Sequence, residues 1–103
     1  MSKSKDIPLT PAESVVNDPD AVEIIRIWWS RNEPAFALKP AFRNPESFGV
    51  MLAQAVRHMA YAYGQREIAP QDEAYDAILK GFNRTIDGPT VETVLEKDAG
   101  TAS

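Results

Sequence analysis

Apolar positions follow two different rhythms along this chain. From Ala21 to Trp29 the run AVEIIRIWW is dense in β-branched and aromatic side chains, which suit a pleated strand. The stretch SRNE, Ser30 to Glu33, interrupts it as a turn of about four residues. Pro34 to Lys39 then returns as a second strand, stopped by Pro40. Pro34 has no N–H to give to a ladder, which places it at a strand start or on an edge. These segments predict a β-hairpin.

The rhythm then changes. In NPESFGVMLAQAVRHMAYAYGQ, Asn44 can cap a helix, Pro45 fits its first position and Glu46 complements its positive end. Phe48, Leu52, Ala55, Met59 and Tyr63 recur with helical spacing. Gly64 is expected to end this helix in the left-handed conformation, giving Pro45 to Tyr63. Its other side carries Val50, Ala53, Ala60 and Tyr61 beside Arg57, a weakly polar back for a surface helix. A second helix is predicted over Pro70 to Ile86, with Tyr75, Ile78, Leu79, Phe82 and Ile86 as its apolar stripe. Gly81, costly inside a helix, is expected to mark close packing or an early end. DGPT, Asp87 to Thr90, stops it, and VETVLEK beyond could add a turn or two. The expected fold is α+β, a β-hairpin followed by two α-helices packed on one sheet face. Residues 1–20 read as a flexible arm, 21–88 as the domain and 89–103 as a tail.

Neighbouring side chains in a strand point to opposite faces, so Trp28 and Trp29 cannot share one core. Ile25, Ile27 and Trp29 fall on one face, which the helices are expected to cover. Val22, Ile24, Arg26 and Trp28 fall on the other. Arg26 there implies either that this face is less deeply buried or that its guanidinium finds a carboxylate or stacks on an aromatic ring. Left bare, this second face would be an apolar patch of the kind that marks an interaction site, and a two-stranded sheet alone is marginal in water. A two-fold homodimer, extending the sheet through edge strands or packing the outer faces together, is the expected solution. The competing cover is the N-terminal arm, folded back through Ile7, Leu9 or Val15 and Val16.

Composition narrows the classes. The 103 residues suit one small domain, and with no cysteine there is neither a disulfide framework nor thiol chemistry. A net charge of −4 and scattered basic residues argue against a nucleic-acid or anionic-membrane surface. The lysines of MSKSKD precede no apolar run, and nothing approaches a membrane span of ~20 apolar residues. These features suggest a cytoplasmic protein. Dispersed glycines offer no phosphate cradle, and His, Asp and Glu show no zinc spacing. No catalytic residue, metal ligand or cofactor is assigned. His58, the only histidine, with Tyr61 and Arg57, could border a small ligand pocket.

DPDAVEIIRIWW, NPESFGVMLAQAVRHMAYAY and AILKGFNRTIDGPT together resemble a family of small proteins of unknown function, found mainly in alphaproteobacteria. The matching positions are Asp18 to Glu23, Trp28, Arg57–His58, Gly81–Phe82 and Pro89–Thr90. The resemblance implies no activity and assigns no site residue. The function expected from the residues is therefore a non-enzymatic interaction or assembly module that self-associates through its sheet. The alternative is a small-molecule-binding protein or minor enzyme with a pocket near His58 and Tyr61.

Overall fold

The computed structural model describes residues 7–89. Its elements in order are α1 (Glu13–Val16), β1 (Ile25–Ser30), β2 (Glu33–Leu38), α2 (Glu46–Gln65) and α3 (Gln71–Ile86). This is an α+β chain, a two-stranded antiparallel hairpin followed by a pair of helices. Residues 1–6 and 90–103, including the VETVLEK segment, lie outside the described part.

The strands pair from Ile25 with Leu38 to Ser30 with Glu33. The first strand therefore starts four residues later than expected, although the Ile24 carbonyl still accepts a hydrogen bond from Lys39 N–H at 2.9 Å. The loop is also tighter. Ser30 and Glu33 close the ladder, leaving only Arg31 and Asn32 between them, with φ of 54° and 64°. Two successive positive φ values define a type I′ turn, whose twist matches that of the strands. Asn tolerates this conformation well, whereas at Arg31 it costs on the order of 1 kcal/mol or more.

The start of α2 follows its sequence signals. Asn44 Oδ1 accepts a hydrogen bond from Glu46 N–H at 3.1 Å, and Pro45 has helical dihedrals. Its end does not. Among the described residues no glycine has positive φ; Glu67, at φ 58°, is the left-handed residue. Ile68 N–H reaches back to the Tyr63 carbonyl at 3.0 Å, the six-to-one bond of a Schellman ending. Gly64 has another use. A β-carbon there would sit 3.2 Å from Cβ of Gln71, so its bare backbone lets the start of α3 approach. Gly81 has open space around an added β-carbon, and nothing in the structure requires glycine there.

The two helices meet through small residues. Ala60 is 1% exposed and Ala74 is 5% exposed, and no other described residue is buried. Ala60 was expected on the weakly polar back of its helix. The seam takes that side instead, because small side chains allow the closest approach of two backbones. The stripe expected to form the core is left partly open: Phe48 and Leu52 are half-buried and Met59 is 55% exposed.

The expected packing of the helices on one sheet face is not present. No Cα of either strand lies within 8 Å of a Cα in α2 or α3. The arm does not supply a cover either, since α1 meets no other element and Ile7, Leu9, Val15 and Val16 are all exposed. The hairpin and the helical pair are two separate halves joined by residues 39–45.

Enlarging Ala60 should force the helices apart at their small-residue seam. Ala60→Leu is expected to cost about 1–3 kcal/mol, typical of overpacking, which lowers the melting temperature of the helical signal by roughly 5–20 °C. Gln54→Ala, exposed on the same helix, should leave it nearly unchanged. Equal melting curves for the two variants would refute the small-residue seam.

Candidate functional site

Strand register sorts the hairpin into two unlike faces. Ile25 pairs with Leu38, Ile27 with Phe36 and Trp29 with Pro34, so one face is apolar at all six positions. Arg26 pairs with Ala37, Trp28 with Ala35 and Ser30 with Glu33, giving a mixed face on which the Trp28 ring stands beside small alanines. On the apolar face Trp29 is 73% exposed, Ile27 56% and Phe36 47%. Only Ile25 and Leu38, at the base, are half-buried. A large aromatic side chain carries ~150–250 Å². The open part of these three residues is thus on the order of 400 Å², within the range of the largest patch on an ordinary monomer.

The sequence placed the interface on Val22, Ile24, Arg26 and Trp28. Val22 and Trp28 are exposed, Ile24 is half-buried, and both Val22 and Ile24 precede the first strand. Trp29, by contrast, was expected in the core and is the more exposed of the two tryptophans. Spacing alone could not expose this error, because both faces alternate correctly. What decides it is whether the helices reach the sheet, a tertiary fact.

Arg26 has found a carboxylate. Its Nε–H donates to Glu23 Oε2 at the exposed base of β1. That hydrogen bond, chiefly, holds the Glu23 carboxyl below the ordinary glutamate range, slight desolvation opposing it and the charges of Arg26 and Lys39 assisting. The same bond raises Arg26 above its usual value. Because the guanidinium donates along its edge, its flat face is left open for stacking.

The ligand candidates do not converge. An open groove of ≈ 440 Å³ between α2 and α3 is lined by Arg57, Ala60, Gln71, Asp72 and Tyr75. Arg57 therefore borders it, while His58 and Tyr61 are exposed and outside that lining. Among the described residues no cluster of His, Asp and Glu could hold a metal ion, and no helix is long and apolar enough to cross a membrane.

These features define an open α+β chain whose strand half and helix half each leave apolar surface uncovered. The chain belongs to the family described as a domain of unknown function, DUF5076, whose model matches residues 8–90. It is also similar to a solved structure from the photosynthetic bacterium Rhodopseudomonas palustrus CGA009, described as a "putative pyruvate dehydrogenase". The two share 30% identity with a TM-score of 0.65, over 95% of this chain and 98% of that one. No curated protein matches the chain.

The Glu23–Arg26 pair can be tested by titration. A depressed carboxylate stabilises the folded state at pH values above its unfolded pKa, and the contribution is lost as pH falls through the folded one. Following the Glu23 carboxyl carbon by NMR should therefore give a midpoint below the ordinary glutamate value, moving up in Arg26→Ala. Coincident midpoints would show that the pair does not persist in water.

Proposed function

We propose that this chain is a non-enzymatic assembly module that self-associates through its hairpin. The observation that carries the reading is the absence of any large buried side chain among the described residues. Fully burying one Leu, Ile or Phe contributes about 1.5–3 kcal/mol. Ordering each residue costs roughly 1–2 kcal/mol of backbone entropy. The apolar side chains between the helices are at best half-buried around two buried alanines, and a lone hairpin adds little. A second copy supplies the missing apolar contact at no cost in new sequence, and two-fold dimers are the commonest closed symmetry. A net charge of −4 gives no support for a nucleic-acid partner, and the lack of cysteine suits the reducing cytoplasm.

A second reading, a small-molecule site, retains one supporting observation: Arg57 and Tyr75 border the groove between the helices. Arg57 could receive the carboxylate of a small acid there, which is the one link to the dehydrogenase description of the solved relative. His58 and Tyr61 lend it no proton-transfer pair, so assembly is the stronger reading.

Self-association makes stability depend on concentration. Sedimentation velocity should find dimers at micromolar concentration, and a tenfold rise in concentration should lift the melting temperature by roughly 3–5 °C. Trp29→Asp should abolish both effects and Trp28→Asp should weaken them. A wild type that stays monomeric at high concentration and still melts cooperatively would sink the proposal.

A further inference from the structure

Resting on that self-association, we infer that two copies join strand β1 to strand β1, antiparallel, about a two-fold axis at Ile27, so that Arg26 of each stacks on Trp28 of the other. The hydrogen bond from Lys39 N–H to the Ile24 carbonyl fixes the phase of the ladder. Bonded and non-bonded pairs alternate in an antiparallel sheet. Arg26, Trp28 and Ser30 therefore bond to β2, whereas Ile25, Ile27 and Trp29 turn their N–H and C=O groups to the outer edge. No described backbone group bonds them there. This edge has no proline, lysine or bulge, and its one charged side chain, Arg26, already has Glu23 as counter-ion. The opposite edge, on β2, is interrupted at Pro34, which by the same alternation points outward without an N–H.

Register follows from the same phase. An edge pairing must bring Ile25, Ile27 and Trp29 against their own kind in the partner. Centring on Ile27 matches all three: Ile27 faces the partner's Ile27, and Ile25 faces the partner's Trp29. Centring on Arg26 sets two guanidinium groups opposite one another, which is unfavourable, and pushes Trp29 beyond the strand. Centring on Trp28 carries Ile25 into the turn at Arg31. In the Ile27 register Arg26 lies directly across from the partner's Trp28 in a non-bonded pair, where side chains approach most closely. Its edge is already engaged by Glu23, and its open face is the part that an indole ring attracts. A two-fold axis normal to the sheet also keeps both copies' Trp29 on one side, each set against the partner's Ile25, an apolar contact that one copy alone cannot make.

The chain has no cysteine, so single-cysteine variants report without background. Ile27→Cys should be captured as a covalent dimer by a short thiol-to-thiol linker such as dibromobimane. Ser30→Cys should not, because its two copies would stand six strand residues apart, roughly 20 Å. Arg26→Glu should weaken dimerisation at least tenfold by sedimentation. Capture at Ser30→Cys but not at Ile27→Cys, or an unweakened Arg26→Glu dimer, would overturn the register. If the wild type sediments as a dimer in that case, self-association stands without it. If the wild type is monomeric, both fall.

Discussion

The separation of the hairpin from the helices governs everything else in this structure. A sheet normally gains its stability by laying one face on another layer. Here the strands lie too far from the helices for that, and the helical pair closes on itself through Ala60 and Ala74. Alanine at the seam brings the helices close but buries little area, so closeness and stabilisation are traded against each other. The larger side chains, which could contribute more, are displaced to the flanks of the seam, where Met59, Tyr75 and Phe82 stay open to solvent. The apolar content is that of an ordinary domain. Its distribution is that of a domain whose core has been divided between surfaces.

Local signals in the sequence were readable because they act over a few residues. Asn44, Pro45 and Glu46 set the start of α2 through one side-chain hydrogen bond, one fixed dihedral and one charge near a dipole. The β-branched run of β1 needs only the pleat. The hairpin loop was less readable. Arg31 is not a residue that advertises left-handed backbone, so a two-residue turn was hidden behind a sequence that suggests four. The end of α2 was misassigned for a related reason: Gly64 carries the conventional signal, yet contact with Gln71 accounts for it, and Glu67 takes the strained dihedral.

Layer contacts were not readable at all. The α2 stripe of Phe48, Leu52, Met59 and Tyr63 has the spacing of a core face, and periodicity reports that a face is apolar without reporting what covers it. The same limit applies to Trp28 and Trp29, whose alternation separates them but cannot rank them. Arg26 was a better guide than either tryptophan. Its guanidinium meets Glu23 three residues earlier, although both side chains are exposed and water could serve either.

An exposed strand edge beside aromatic side chains is ordinarily an aggregation hazard. Whether it produces a closed particle or a fibre depends on the symmetry of the contact and on what edges remain. A head-to-tail contact of β1 on β2 would leave a free copy of each edge at either end and could continue without limit. Pro34 obstructs that route by removing an N–H from the outer side of β2, next to the turn. A β1-to-β1 contact consumes both open edges at once and presents only the two interrupted ones to solvent. The proline that looks like a defect in the second strand thus favours a closed pair over an open chain of sheets. The cost falls on the tip of the hairpin, where one bond is unavailable and Arg31 is held in a left-handed turn.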